Sequence, residues 1–458
     1  MLIASKFFLL LLSIALALPA HAQDTFDLER LINRALEANR GMIDAREDVH
    51  RARLRLDSAE SEFDVQVSPG AGIGISGGED YAAGTDLDLE VNLEKKTRMG
   101  TRVGMTPSIQ RVDDEYRSRA NLRITQPLLR GAGRDYTMSG VYGARFSDRT
   151  ARRSESIQEV DTVLGAVRHG YDVVRQRELL RLRRESHQRL SDLAEATAIK
   201  ERMGLVTAMD LYRVRIQLNQ AEEELNMSQE AYVDSLDSLK TFLALPLERD
   251  IRVSLPLDFE RVYPDEQEMI ETALSRRLEL EQVRDALQEA RRGSEVARKD
   301  TWPMLDVTLS FSQVGDPSSS FPGDMPDSTS WGISLGSTTD IRRTSEKLAF
   351  EESLISVQQA ARRQSTVRDD ISAQVKREIR RLDRLDKAII NHEDQVHQAR
   401  GQLELSRVKF EHGMADNFDL IDAEISLRRS ETQLISAIID YIVGTYRLRA
   451  ASGTLVQR

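Results

Sequence analysis

The sequence predicts a mainly α-helical fold with a smaller β part, built as two tandem copies of one long helical hairpin. Two segments 209 residues apart share the pattern of a helix end, a glycine turn and a second helix, centred on Gly204 and Gly413. After each turn an apolar residue recurs every seven positions, which is the period of a packed helical seam. Each copy also contains segments in which polar and apolar residues alternate, which is typical of strands with one apolar face.

Residues 1–22 are predicted to be a secretory signal peptide. Lys6 precedes an apolar run at 7–18, and a small-residue cleavage site ends at Ala22. We expect cleavage near Ala22, so that the mature chain begins near Gln23 and leaves the cytoplasm. The chain contains no cysteine, so it is not expected to be a lipoprotein.

The composition excludes several classes of protein. The 64 Lys and Arg against 75 Asp and Glu give a net charge of -11, which predicts no nucleic-acid partner. After the signal peptide no apolar run approaches the roughly 20 residues of a membrane-spanning helix, which excludes a polytopic helical membrane protein. No catalytic or metal-binding motif has the required residue spacing, and the glycine motif of Gly72, Gly74 and Gly77 is not followed by the helix that a nucleotide site needs. We therefore predict that the chain is not an enzyme and holds no metal or cofactor.

The first repeat is expected to span 23–245. It begins with a helix and continues with about four strands within 65–128, among which 86–94 alternates without exception. A long helix without proline is predicted over 136–202, and a return helix over 210–244. At about 1.5 Å per residue, the long helix would extend on the order of 100 Å.

The second repeat is expected to span 265–458, after an inter-repeat linker at 246–264 that contains three prolines. It also begins with a helix, but only two strands are predicted, within 305–336. A long helix over 341–412 and a return helix over 416–451 complete the repeat.

With this organisation the sequence resembles the TolC-like outer membrane factors, also called outer membrane efflux proteins. The matching segments are Ile124-Thr-Gln-Pro-Leu-Leu-Arg-Gly131 after the strands, Met203-Gly-Leu-Val-Thr207 at the first turn and Gly453-Thr-Leu455 after the last helix. Each segment is short, but their order and spacing in two copies extend the resemblance over nearly all of the mature chain.

The resemblance implies a homotrimer in the outer membrane of a Gram-negative-type cell. Strands from three protomers would close one shared transmembrane β-barrel among the outer-membrane lipids, and coiled-coil helices would form a periplasmic tunnel. Such a tunnel docks a periplasmic adaptor protein and an inner-membrane pump of the RND or ABC type. The physics of the bilayer also favours an oligomer. The unpaired backbone groups at the edge of an open sheet find no hydrogen-bond partner in lipid.

The number of strands departs from the family. The starts of the two copies align at an offset of 238 residues, so the first copy holds 29 residues more before its glycine turn. A hairpin at about 86–110 accounts for most of this excess. The usual protomer of the family has two strands per copy and twelve per trimer, whereas four plus two would give eighteen. The sequence leaves open whether the extra hairpin joins the barrel or lies outside it.

Two aspartates near the start of the last helix are the candidate constriction of the tunnel. Asp419 and Asp422 lie three residues apart and therefore on one helix face. The resemblance implies that threefold symmetry turns them into acidic rings at the periplasmic entrance. The first copy has Asp210 but Arg213 at the second position. The alternative is that both aspartates are only N-terminal charges favoured by the helix dipole.

Two further groups of residues follow from the resemblance and from position. The residues expected at the hairpin tips, where an adaptor would dock, are Gly204, Leu205, Thr207 and Gly413. Phe63 and Trp302 each precede the first strand of a copy, where an interfacial aromatic girdle would fall. Ordinary core packing is the alternative for both aromatic residues.

The function implied by the resemblance is a passive outer-membrane exit duct of a tripartite efflux or type I secretion system. It would connect the periplasm and an inner-membrane pump to the exterior. The alternative is a periplasmic or extracellular coiled-coil scaffold or adaptor without its own pore. The alternating strands argue against a scaffold, which has no reason to carry them at equivalent places in both copies. The cargo, whether a drug, a metal ion or a polypeptide, stays open.

Overall fold

The computed structural model describes residues 24–456 except 79–80, 113–114, 316–325 and 339. The predicted signal peptide lies outside the described residues. The described chain divides into two compact units, which we call the helical unit and the sheet unit. The helical unit comprises 24–43, 158–276 and 372–456, and the sheet unit comprises 44–157 and 277–371.

Among the described residues, both repeats contain two helices, a strand region, a long helix and a return helix in this order, but the first repeat has four strands rather than two and an additional short helix after them. The first repeat contains β1 (Asp24–Phe26), α1 (Leu28–Ala38), α2 (Arg40–Ser61), β2 (Val65–Gly78), β3 (Tyr81–Lys96), β4 (Arg102–Val112), β5 (Glu115–Pro127), α3 (Arg134–Thr137), α4 (Ser139–Arg202) and α5 (Ala208–Phe242). The inter-repeat segment and the second repeat contain β6 (Ile251–Val253), α6 (Glu266–Arg276), α7 (Leu278–Asp300), β7 (Asp306–Gly315), β8 (Pro326–Gly336), α8 (Thr344–Glu411) and α9 (Asn417–Ala451).

The helix expected before the first strands is interrupted at one residue. α1 ends and α2 begins on either side of Asn39, whose backbone leaves the helical region with φ -60° and ψ 130°. The Asn39 amide donates to the carbonyl of Phe242 (2.9 Å), and its Oδ1 accepts from the backbone N–H of Met42 (3.3 Å). The side chain thus satisfies a free donor of α2 and also binds a distant carbonyl, which stabilises the break. The second copy has a comparable break at Arg277, between α6 and α7.

Six strands form one antiparallel sheet in the order β2-β3-β4-β5-β7-β8. The pairing of β5 with β7 joins the two repeats, with a register from Arg119 opposite Val314 to Pro127 opposite Asp306. The extra hairpin of the first repeat, β3 with β4, is paired on both sides and lies inside the sheet. Among the described residues, β2 and β8 are the edge strands, each with a single strand neighbour.

The two faces of this sheet differ in polarity, and the difference continues across all six strands. One cross-strand row is apolar on all six strands and consists of Val67, Leu93, Met105, Leu122, Phe311 and Trp331. The adjacent row lies on the opposite face and consists of Gln66, Glu94, Gly104, Arg123, Ser310 and Gly332. Because side chains alternate along each strand, the sheet has one apolar and one polar face.

A buried apolar core holds the helical unit together. β1 and β6 pair in parallel, with Asp24 opposite Ile251 and Phe26 opposite Val253, so the start of the first repeat is bound to the inter-repeat segment. Around this pair α1, α4, α5 and the residue that caps the end of α5 contribute the buried residues Leu31, Ala35, Val167, Tyr171, Val174, Leu239 and Leu243. A second cluster joins α8 to α9 through Leu382, Leu385, Ile389, Tyr441 and Leu448.

Two helical glycines of the helical unit predict opposite effects of the same substitution. A Cβ at Gly170 of α4 would lie 2.9 Å from a methyl of buried Leu31 and 3.0 Å from a methyl of Leu255, whereas at Gly401 of α8 it would meet no atom within 4 Å. We expect Gly170→Ala to lower stability by about 1–3 kcal/mol through overpacking. Gly401→Ala should raise it by up to about 1 kcal/mol, the gain in helix propensity. Thermal unfolding of the two solubilised variants measures this difference, and equal shifts would contradict the packing argument.

Candidate functional site

The turns at the ends of the two long helices have the same backbone geometry. Gly204 and Gly413 adopt φ +72° and φ +71°, the left-handed region that favours glycine. In the first turn the backbone N–H of Leu205 donates to the carbonyl of Lys200 (2.9 Å), and in the second that of Met414 donates to Lys409 (2.8 Å). Each glycine therefore ends its helix in a Schellman motif.

The helices that follow the two turns are capped differently. Thr207 and Asp210 form a capping box at the start of α5, in which Thr207 Oγ1 accepts from the Asp210 N–H (3.3 Å) and Asp210 Oδ2 accepts from the Thr207 N–H (3.0 Å). The Thr207 hydroxyl also donates to Asp210 Oδ2 (2.7 Å), and this bond, followed by that of the N–H, lowers the pKa of Asp210. At the start of α9, Asp416 alone caps the helix by accepting from the N–H groups of Phe418 and Asp419.

Asp419 and Asp422 lie in the first two turns of α9, and both side chains are exposed. Among the described residues, neither carboxylate forms a hydrogen bond or an ion pair. The corresponding Asp210 is engaged by Thr207 and lies 4.0 Å from Arg213. The two copies thus share a turn but differ in charge, because only the second presents two uncompensated carboxylates on one helix face.

A half-buried ion pair next to these aspartates was not predicted from the sequence. Arg189 of α4 binds Glu424 of α9 through two nitrogens, with distances of 2.7–2.9 Å. The Glu424 side chain is 5% exposed and that of Arg189 is 37% exposed. The signal that could have indicated this pair is a carboxylate on the apolar seam of α9, four residues after Leu420 and three before Leu427.

A second ionic contact joins three helices nearby. Glu224 of α5 binds Arg183 of α4 (2.7 Å) and also Arg428 of α9. Burial, followed by the charge of Arg183, lowers the pKa of Arg428. One carboxylate between two guanidinium groups therefore balances only part of their positive charge. The same contact binds the second helical hairpin to the first by electrostatics as well as by packing.

The last turns of α4 and α8 are also in direct contact. Lys200 Nζ donates to the carbonyl of Phe410 (3.2 Å) and lies 3.7 Å from the centroid of its ring. Thr197 Oγ1 lies 3.5 Å from Oδ1 of buried Asn417, the first residue of α9. The structure thus brings the two glycine turns onto neighbouring helix ends, where Leu205 and Thr207 are exposed.

The two aromatic candidates occupy different environments in the sheet unit. Phe63 packs against a cluster that includes Leu56, Met138 and Val141, and the Lys96 ammonium lies 5.5 Å from its ring centroid. Trp302 lies between α7 and β7 with 39% of its surface exposed. Exposure next to a strand suits an interfacial residue, so the girdle proposal rests more firmly on Trp302 than on Phe63.

Within the residues that the structure describes, no group of three or more His, Asp or Glu side chains could hold a metal ion. None of the helices in the same residues is long and apolar enough to cross a membrane.

Comparison with known proteins gives a match to a family model within the second repeat and a fold for the chain. Residues 269–454 match the family model described as outer membrane efflux protein. No curated protein sequence matches the chain. The resemblance drawn from the sequence is thereby confirmed over the second repeat.

Solved structures with a similar fold include outer membrane channels. The chain is similar to the CmeC outer membrane channel of Campylobacter jejuni (TM-score 0.74, 12% identity, covering 93% of this chain and 86% of that one). It is also similar to the outer membrane protein VceC of Vibrio cholerae (0.74, 14%, 93% and 96%) and to the open MtrE outer membrane channel of Neisseria gonorrhoeae (0.69, 17%, 93% and 89%). These similarities confirm the predicted fold of long helices with a strand part.

The Arg189–Glu424 pair predicts unequal effects of removing its two partners. Arg189→Met leaves a buried carboxylate without a partner and should lower stability by on the order of 3 kcal/mol. Glu424→Gln leaves a partly solvated guanidinium that keeps a hydrogen-bond acceptor, and should cost about 1 kcal/mol. Denaturant unfolding of the solubilised protein measures both values.

The control is Arg181→Met, which breaks the exposed pair with Glu185 and should cost less than about 1 kcal/mol. If the Arg189 and Arg181 variants were equally stable, the pair with Glu424 would contribute no more than an ordinary surface contact.

Proposed function

We propose that this chain, which carries an outer membrane efflux protein domain in residues 269–454, is one protomer of a trimeric exit duct in the outer membrane. The strands of three copies close a barrel in the lipid, and their long helices enclose a periplasmic tunnel. A signal peptide ending near Ala22 delivers the chain, which is not a lipoprotein. The duct is passive and serves a tripartite efflux or type I secretion system, so it needs no catalytic group.

The observation that carries this proposal is the exposed apolar face of the six-stranded sheet. Large apolar side chains on both edge strands are mostly exposed, with Ile73 at 78%, Ile75 at 80%, Trp331 at 74%, Ile333 at 69% and Leu335 at 67%. A face of this kind on a protein in water would promote aggregation, whereas lipid covers it without cost. A coiled-coil scaffold in water would not explain an exposed apolar face. The face therefore disfavours a scaffold as the alternative function.

The edge strands support the oligomeric part of the proposal. A backbone group in lipid must find its hydrogen-bond partner within the protein, and an unpaired edge leaves a row of them unsatisfied. Six strands are fewer than the eight of the smallest bacterial outer-membrane barrels. Further copies of the same chain are the simplest source of the missing strands.

The proposed entrance lies at the glycine turns that end α4 and α8. Asp419 and Asp422 would form two acidic rings there, since they are exposed and uncompensated in the single chain. The turns at Gly204 and Gly413, with exposed Leu205 and Thr207, would dock a periplasmic adaptor that links the duct to an RND or ABC pump. Trp302 and Phe63 would mark the periplasmic boundary of the lipid.

The acidic rings predict a cation-selective channel with a multivalent block. We expect low conductance in planar bilayers and block by trivalent metal ions added on the periplasmic side. Asp419→Asn with Asp422→Asn removes six carboxylates from the trimer. The block should weaken at least about tenfold, since even one contact between unit charges in water contributes on the order of 1 kcal/mol.

Asp210→Asn is the matched control, because this aspartate is engaged by Thr207 and lies near Arg213. It should change block and selectivity much less than the double variant. A double variant with unchanged block would reduce Asp419 and Asp422 to N-terminal helix charges. A protein recovered as a soluble periplasmic monomer would contradict the duct itself.

The glycine turns predict a loss of adaptor docking without loss of the barrel. A Cβ at Gly204 or Gly413 would meet no atom within 4 Å, so valine there is unfavourable only through the left-handed backbone, by about 1–2 kcal/mol. We expect Gly204→Val and Gly413→Val to reduce crosslinking of the adaptor while the trimer still forms. Gly204→Asn should retain docking, since asparagine tolerates this conformation. Full crosslinking by both valine variants would refute the role of the turns.

A further inference from the structure

The hairpin of β3 and β4 distinguishes this sheet from the two strands per copy that the resemblance implies. We propose that the hairpin is part of the barrel wall, and that three copies, joined β8 to β2, close a barrel of eighteen strands. This inference rests on the proposed function, because it concerns the wall of the same duct. The partner at both edges is a second copy of this chain.

Continuous pairing on both sides places the hairpin in the wall. β2 pairs with β3 from Val65 opposite Lys95 to Ser76 opposite Gly84. β4 pairs with β5 from Arg102 opposite Thr125 along its full length. A hairpin outside the wall would have to release both ladders and leave β2 and β5 to form a new one. Lipid makes such a release costly, since freed backbone groups find no water there.

The side chains of β3 follow the same two faces as the rest of the sheet. Leu87, Leu89, Val91 and Leu93 occupy alternate positions and share the apolar face with Val67 of β2 and Trp331 of β8. The intervening residues of β3, which lie on the polar face, are Asp86, Asp88, Glu90, Asn92 and Glu94. Alternation of apolar and polar residues is what a strand needs to separate lipid from a water-filled lumen.

The turn between β3 and β4 is fixed at the end of the sheet where the helices begin. Gly100 adopts φ +100°, and a Cβ there would lie 2.7 Å from the carbonyl oxygen of Gly131, so only glycine permits this approach. The Gly133 N–H donates to the carbonyl of Met99 (3.2 Å), and Lys96 pairs with Glu62 (2.6 Å). The end of β3 therefore lies level with the start of β2, and the start of β4 lies level with the end of β5. β3 has 16 residues, more than the roughly 9–11 that cross a bilayer.

The direction of the edge strands permits closure with further copies. β2 runs away from the helices and β8 runs back towards them, so β8 of one protomer would be antiparallel to β2 of the next. Their apolar residues lie on the same face of the sheet, which keeps that face continuous across the joint. With strands about 4.8 Å apart and tilted by about 40°, eighteen strands give a backbone diameter on the order of 36 Å, against about 24 Å for twelve.

Single cysteines test the position of the hairpin, because the chain has none of its own. Glu90→Cys and Leu89→Cys sample the two faces of β3, and Ser310→Cys and Leu309→Cys are the matched pair on β7. A membrane-impermeant, water-soluble maleimide is applied to the trimer in lipid vesicles. We expect the Glu90 and Ser310 variants to react at similar rates. The Leu89 and Leu309 variants should react at least about ten times more slowly, since apolar surroundings suppress the thiolate.

The possible outcomes separate this inference from the proposed function. Fast reaction of both β3 variants, with alternation retained on β7, would place the hairpin outside the wall and leave the duct intact. Loss of alternation on β7 as well would overturn the duct. The second measurement is the mass of the solubilised assembly. Three copies support eighteen strands, and two copies would overturn that number.

Discussion

The pairing of β5 with β7 is the interaction on which the rest of the structure depends. It unites strands whose paired residues are 179 to 195 positions apart in the chain, from Pro127 opposite Asp306 to Arg119 opposite Val314, and makes one sheet from two repeats. Side chains secure its base: Arg130 binds Asp300 at the end of α7 (3.1 Å) and Glu346 at the start of α8 (3.4 Å). Tyr136 donates to the same Asp300 (2.6 Å). Without this ladder each repeat would keep a separate small sheet with two open edges.

Joining the strands creates a surface that one chain cannot cover. A continuous apolar face and two unpaired edges are unfavourable in water and, as long as the sheet stays open, unfavourable in lipid as well. In the proposed duct, lipid would cover the face and further copies would satisfy the edges. The same physical requirement would thus account for both the membrane location and the oligomer that we propose, and the chain shares its fold with known outer membrane channels.

The two copies of the helical hairpin share the geometry of their turns but differ in how the helix after each turn is capped. Their turns have the same Schellman geometry, but the first copy engages its aspartate in a capping box and the second leaves that task to Asp416. The Asp419 carboxylate therefore takes no part in capping and is exposed. Glu424 has Arg215 at the equivalent place in the first copy, so only α9 has a buried carboxylate for Arg189.

The sequence by itself determined the features that depend on neighbouring residues. Heptads predict helices, alternation predicts strands, and Gly204 and Gly413 predict turns, because each pattern reflects backbone preferences over a few positions. Only the tertiary structure decided that the extra hairpin pairs inside the sheet, that Asn39 breaks a helix and that Arg189 binds Glu424. Asn39 depends on the Phe242 carbonyl and Arg189 on Glu424, and both partners are more than 200 residues away in the chain. The hairpin pairs with its neighbours β2 and β5, but its place inside one sheet depends on the distant pairing of β5 with β7. Local periodicity carries no information about which distant group will satisfy a hydrogen bond or a charge, and for this reason sequence reasoning could not reach them.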